Sequence, residues 1–144
     1  MTLHVELVVP DREIWSGSAR MVVAKTLEGD IGILQSHPPV LGILAQGSVV
    51  RILDPDAGAS GDSGESSGAG QGELVAAVSG GFFSVADDRV SVLAREAELG
   101  RDVDVRAARA ELEAAETSGP ASGAAESAEA KYARARLRAA GEQA

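Results

Sequence analysis

Over the first hundred residues, apolar and polar positions alternate in short spans, and each span ends at a turn signal. Leu3-His4-Val5-Glu6-Leu7-Val8-Val9 alternates and then fills in before Pro10-Asp11 turns the chain. A period of two places successive side chains on opposite faces, as in a half-buried strand. Ile14-Trp15 precedes a second expected turn at Ser16-Gly17-Ser18, and residues 19–25 read as the next strand. More strands are expected at residues 40–44, 49–53, 73–78, 82–85 and 89–93, separated by Gln46-Gly47, Ser79-Gly80-Gly81 and Asp87-Asp88. Turn signals at intervals of about 8–12 residues suggest an antiparallel β-sandwich.

The pattern fails at residues 54–73, which hold five acidic residues, no basic ones, and otherwise mostly Gly, Ser and Ala. Such a segment cannot bury enough apolar surface to offset its ordering entropy, so a disordered loop joining two strands is expected. Beyond residue 100 the period becomes helical. Asp102 or Asp104 is placed to cap a helix over about 105–116, residues 117–123 stop it, and a second helix runs over about 124–140 to Gly141. Ala128, Tyr132, Ala135 and Ala139 share one face of the second helix. Leu112, Tyr132 and Leu137 are the only large apolar side chains of the pair, so the hairpin buries little and is a candidate for undocking. The expected fold is an N-terminal antiparallel β-sandwich over 1–100 followed by a C-terminal α-helical hairpin over 101–144.

Composition narrows the function. A net charge of −9 argues against nucleic acid, which needs a basic footprint, although the 54–73 segment carries five of those charges. The absence of cysteine removes thiolate metal sites and a cysteine nucleophile. The two histidines, His4 and His37, lie far apart in sequence, and no carboxylate pair has ligand spacing, so neither a metal site nor a catalytic site is expected. No apolar run approaches the roughly 20 residues that cross a bilayer, so membrane association is expected only through a partner. A carrier domain would need a lysine at a turn tip, and Lys25 lies within a strand pattern.

The segment Glu28-Gly29-Asp30-Ile31-Gly32-Ile33-Leu34-Gln35-Ser36-His37-Pro38-Pro39 is the most specific in the chain. Gly29 and Gly32 permit backbone angles closed to other residues, and Pro38-Pro39 fix φ and hold His37 extended. The result is a stiff loop that presents Asp30 and His37 at a surface, though His37 is also placed to close on a local backbone group.

This segment stands in order with Trp15-Ser16-Gly17, residues 47–52, Ser79-Gly80-Gly81-Phe82-Phe83-Ser84-Val85, Val90-Ser91-Val92-Leu93-Ala94 and Glu96-Ala97-Glu98. The ordered set resembles the epsilon subunit of F-type ATP synthase over most of the chain, and Asp11-Arg12-Glu13-Ile14-Trp15-Ser16-Gly17 resembles actinobacterial members most. The resemblance implies a non-catalytic rotor subunit at the cytoplasmic face of the bacterial plasma membrane. Its partners would be the gamma subunit, the ring of c subunits and the catalytic beta subunits. The positions matching the family's ring-facing loop are Asp30, Gly32, His37 and Pro38. The family's hairpin folds down on the sandwich or extends and brakes ATP hydrolysis. Here Lys131, Arg134 and Arg138 would form the basic stripe that meets the beta subunits. Three departures stand against full transfer. Ala107 replaces the arginine of the family's ATP-binding signature, so no cofactor is expected. Gln35-Ser36 replaces its Pro-Gly, and the second helix, about 25 Å long, is short for full extension.

Overall fold

The computed structural model describes residues 3–55, 72–117 and 127–142. Ten strands come first: β1 (Leu3–Val9), β2 (Arg12–Ala19), β3 (Met21–Thr26), β4 (Gly29–Ile33), β5 (Val40–Leu44), β6 (Ser48–Leu53), β7 (Glu73–Val78), β8 (Gly81–Ala86), β9 (Arg89–Ala94) and β10 (Ala97–Leu99). A 3-10 turn over Gly100–Asp102 leads to α1 (Val105–Thr117) and α2 (Ala128–Ala139). The strands pair in the order β10-β7-β6-β3-β5-β8-β9-β1-β2, with β4 joined to β3. Between β3 and β5 the ladder narrows to one pair, Thr26 with Leu44. There the path folds over, and its far ends meet again where β10 approaches β1 and β2. The result is a β-sandwich with helices behind it.

The alternation read from the sequence is what fills the core. In β1, Leu3, Val5, Leu7 and Val9 are buried while the intervening residues are not. They pack with Val22, Ile33, Leu44, Val50, Ile52, Val78, Phe83, Val90 and Val92 into an aliphatic core with one aromatic ring. Gly42 makes room for that ring, because a Cβ there would lie 2.4 Å from Phe83 Cε1.

Four expectations need correction. Ser16-Gly17-Ser18 is no turn: these residues continue β2, opposite Glu6, Val5 and His4 of β1. Their backbone groups are taken up by the ladder, so tertiary pairing overrides weak strand propensity. The register skips between Leu7 and Val8, which leaves Ile14 as the extra residue of a bulge. The sandwich is also not wholly antiparallel, because β1 runs parallel to β9, with Val5 opposite Val90. Glu73, counted both in the loop over 54–73 and in the strand expected at 73–78, belongs to the strand: it opens β7, where its carboxylate meets the Arg51 guanidinium. The remainder of that expected loop, residues 56–71, lies outside the described residues, although Asp54 N–H donates to the Gly72 carbonyl at 2.9 Å where the two strands leave the sheet.

The fourth correction concerns the helices. Asp104 caps α1 through Ala107 N–H at 3.1 Å, and Ser127 caps α2 through Ala130 N–H at 3.1 Å. Residues 118–126 lie outside the described ones, the start expected for the second helix among them. Of the residues read onto one face, Ala128 is exposed, Tyr132 and Ala139 are half-buried and Ala135 is buried, so that face does not form the contact with α1. Instead Ala130, Ala133 and Leu137 pack on Ala108 and Leu112 of α1. Ala135 is fully buried on another side, and α2 packs on β6, β7 and the 3-10 turn. Small alanines let α2 be buried on two sides at once, so no single face accounts for its packing.

Arg136 ties this arrangement together. Its Nε donates to Glu98 Oε1 of β10 at 2.8 Å and its Nη1 to Glu111 Oε1 of α1 at 2.5 Å. Its guanidinium carbon lies 5.8 Å from the Tyr132 ring centroid. Burial opposes the charge on Arg136, but Glu98 and then Glu111 outweigh it and its pKa rises. Burial, then the charges of Glu96 and Glu98, pushes the Tyr132 hydroxyl up to about 12. A phenol freed by undocking would ionise near 10. The neutral phenol therefore favours docking fully below about pH 10, and that contribution is lost as pH rises through about 12. Absorbance titration of the chain's single tyrosine should show a midpoint near 12 for the docked hairpin, and a midpoint near 10 would mean that it is released in solution.

Candidate interaction surfaces

The loop after β4 is held by groups from elsewhere in the sandwich. Ser36, at φ 70, donates its N–H to Asp88 Oδ1 at 2.6 Å. Asp88 sits in the β8–β9 turn, where Asp87 and Asp88 both have positive φ, and its carbonyl accepts from His4 N–H at 2.9 Å. His37 N–H donates to the Leu34 carbonyl at 3.1 Å, and its Nδ1 donates to the Pro38 carbonyl at 2.7 Å. The ring is thus half-buried over its own loop, with Pro38 exposed beside it. The expected local bond of His37 is present, whereas the brace from Asp88, fifty residues onward, carries no signal near the loop itself.

Asp30 belongs to a different place. It lies within β4, exposed, opposite Lys25 of β3. The turn before it is closed by Thr26, whose Oγ1 donates to the Gly29 carbonyl at 2.7 Å and accepts from Glu28 N–H at 3.0 Å. Gly29 has the positive φ expected of it, at 125°, but Gly32 does not. A Cβ at Gly32 would stand 2.7 Å from Met21 Cε, the movable end of a flexible side chain. Asp30 and His37 flank opposite ends of β4, and the four residues expected on one loop are spread along a strand and the turn that follows it.

Of the expected basic stripe, Arg138 is exposed and lines a cleft of about 230 Å³ with Lys25, Asp30 and Arg51. Lys131 and Arg134 are half-buried on the same helix. The stripe therefore lies beside the sandwich, and its last member shares a cleft with Asp30.

One surface was not expected. Leu41, Ile43, Phe82 and Leu93 are 71%, 59%, 47% and 37% exposed. Ile43 pairs with Phe82 across β5 and β8, and Phe82 pairs with Leu93 across β8 and β9. Leu93 in turn stands opposite the half-buried Val8 of β1. Leu27 adds to the row beside Ile43, its N–H donating to the Ile43 carbonyl at 3.2 Å. Single exposed leucines are ordinary, whereas a row running across neighbouring strands is a candidate interaction face. The available signal was Phe82-Phe83: adjacent residues of a strand face opposite ways, so only one can enter the core.

Between sandwich and helices runs an open groove of about 1200 Å³, lined by Arg12, Arg95 and Arg136 but also by five carboxylates. Its balance is acidic, which disfavours a polyphosphate, and the stretch matching the ATP signature does not line it: Asp104 there caps α1. Among the described residues no group of three or more His, Cys, Asp or Glu is placed to hold a metal ion, and no helix is long and apolar enough to cross a membrane.

Residues 2–60 match the family model described as ATP synthase, Delta/Epsilon chain, beta-sandwich domain. The ATP synthase epsilon chain of Thermobifida fusca is 53% identical over 116 residues, which cover 79% of this chain and 74% of that one. Those of Streptomyces coelicolor and Rhodococcus opacus are 46% and 47% identical, over 83% and 76% of this chain and 84% and 79% of theirs. A chain in the cryo-EM structure of the Euglena gracilis mitochondrial ATP synthase, OSCP/F1/c-ring, aligns with a TM-score of 0.67 at 19% identity. That alignment covers 97% of this chain and 79% of the other and shows a shared fold. The sandwich, the order of motifs along it and the likeness to actinobacterial relatives agree, and the chain belongs to the ATP synthase epsilon-chain family.

Proposed function

We propose that the chain works as a non-catalytic rotor component of its ATP synthase, joining the gamma subunit to the c ring at the cytoplasmic face of the bacterial plasma membrane. The observation that carries this reading is the apolar row of Leu41, Ile43, Phe82 and Leu93 on the outside of an otherwise well-packed sandwich. A rotating shaft needs a contact that resists torque. Apolar burial supplies affinity for that, at about 25 cal/mol per Å², where exposed ion pairs supply little. The row is the face offered to the gamma subunit. Asp30, Gly32, His37 and Pro38, along β4 and the braced loop beyond it, are the contacts offered to the c ring. The polar side chains of Asp30 and His37 suit orientation more than raw affinity. The Euglena assembly joins F1 and a c-ring in one structure, and its likeness in fold to this chain supports the placement.

The hairpin supplies regulation. Lys131, Arg134 and Arg138 are the residues offered to the beta subunits when α2 leaves the sandwich. At 12 residues α2 is about 18 Å long, so its reach is modest. Attachment to the membrane comes through the complex.

Three outcomes test these assignments. Phe82→Glu should abolish stoichiometric co-elution with the host's gamma subunit on size exclusion while leaving the strand signature in circular dichroism intact; co-elution at full occupancy would remove the row from the gamma contact. Replacing Asp30 and His37 together by alanine should weaken ATP-driven proton pumping in reconstituted vesicles at least severalfold, and unaltered pumping would sink the ring contact. Deleting residues 128–144 should raise ATP hydrolysis by the assembled enzyme, and an unchanged rate would count against a brake.

A further inference from the structure

Among the described residues, four non-glycine residues have positive φ, and three of them meet at one corner of the sandwich: Ser36 at 70°, Asp87 at 54° and Asp88 at 61°. The left-handed region is unfavourable for residues with a Cβ, although aspartate tolerates it better than most. Asp87 and Asp88 are the central pair of the β8–β9 turn, where turn chemistry alone is best served by glycine in the second place. Ser36 also stands where glycine would be relaxed. The corner thus holds two residues in conformations that local chemistry disfavours, and one hydrogen bond joins them, from Ser36 N–H to Asp88 Oδ1 at 2.6 Å. Among the described residues this bond is the one that ties residues 35–38 to a distant part of the chain, since His37 bonds to Leu34 and Pro38. Asp88 is itself held through its carbonyl, which accepts from His4 N–H of β1 at 2.9 Å.

We propose that Asp88 is the positioning residue of the loop that carries His37 and Pro38, its carboxylate holding Ser36 in a left-handed bend that serine does not keep unaided. The ends of that loop are set by other means, Ile33 by burial in the core and Val40 by pairing with Val85 of β8. Between them the direction of His37 and Pro38 follows from the backbone at Ser36, and a change of φ there re-aims both. A carboxylate acceptor makes the bond charge-assisted, and so stronger than a bond to a neutral carbonyl. Bend and brace are two halves of one device: Ser36 supplies the direction and Asp88 makes it persist. An aspartate at position 88 weakens its own turn relative to glycine, and the loop is what gains from it. The use of the positioned loop rests on its reading as a ring contact given above, but its dependence on Asp88 does not.

Asp88→Gly separates the brace from the fold, because it removes the carboxylate and suits a φ of 61° at least as well. In NMR spectra of the full-length chain the Ser36 amide proton should lie downfield, as a short bond to a carboxylate requires, and should move upfield in Asp88→Gly. The same amide should exchange with solvent on the order of tenfold faster in that variant, while β8 and β9 exchange as before. Asp88→Asn keeps an acceptor and should hold both readouts near wild type. An unchanged Ser36 resonance and exchange rate in Asp88→Gly would overturn the proposal. In reconstituted vesicles Asp88→Gly should lower ATP-driven proton pumping severalfold, and adding Ser36→Gly should recover much of the loss, because glycine takes the bend without help. Pumping that stays low in that pair would overturn positioning, since the carboxylate would then act directly. Full pumping in Asp88→Gly, with pumping impaired by the Asp30 and His37 double replacement, would overturn it too. Full pumping in both, with the Ser36 amide released, would refute the ring contact and leave the brace standing.

Discussion

The Arg136 guanidinium is the one group on which the arrangement of sandwich and hairpin depends. Its side chain is only 12% exposed, and its two carboxylate partners come from β10 and α1. A charge removed from water to that degree is stable only while its partners are present, so the three elements are coupled in their effect on it. The apolar seam between the helices is thin, made of alanines and two leucines with Val103 and Val105 at its margin. Weak apolar packing combined with a strong polar anchor gives a contact that separates as a unit. That behaviour suits an element that must move, and it would be out of place in a core.

The sandwich is built on the opposite principle. Its interior is aliphatic, continuous and independent of charge, and its polar devices serve the surface. Asp88 shows the distinction: it leaves the strands to their own packing and uses its carboxylate to fix the backbone of Ser36. A loop with a residue at positive φ, two prolines and a self-closing histidine is stiff before it meets a partner. Binding through such a loop loses little conformational entropy, which preserves the small free energy a polar contact provides. The apolar row needs no such preparation, since its residues stand on paired strands.

Most of the strands were legible because burial in them follows a period of two, and β1 keeps it from Leu3 to Val9. The expectation failed where pairing, and not local composition, decides: Ser16-Gly17-Ser18 looks like a turn until β1 is placed beside it. The parallel match of β1 to β9 was equally hidden, as no local signal records which distant strand lies alongside. Within the interaction surfaces, the glycines and prolines around His37 announced a shaped loop, but its brace comes from Asp88. Arg136 lies within a turn of two residues of the expected stripe and carries no mark of its own, because isolated sequence gives no means of telling a solvated arginine from one enclosed by Glu98 and Glu111. The exposed row was missed for a related reason, since apolar residues in a strand are assigned to the core until both faces are seen.

The parallel pairing of β1 with β9 also bears on how the chain is made. His4 finds its partner strand only at Arg89, long after β1 has left the ribosome. At about 5–20 residues per second the interval is roughly several seconds. During it β1 and β2 can form a hairpin, but the other edge of β1 stays open, with its backbone donors and acceptors unmatched. Nascent chains of this kind are exposed to wrong strand partners until β9 emerges, because the sandwich cannot close around its first strand before then.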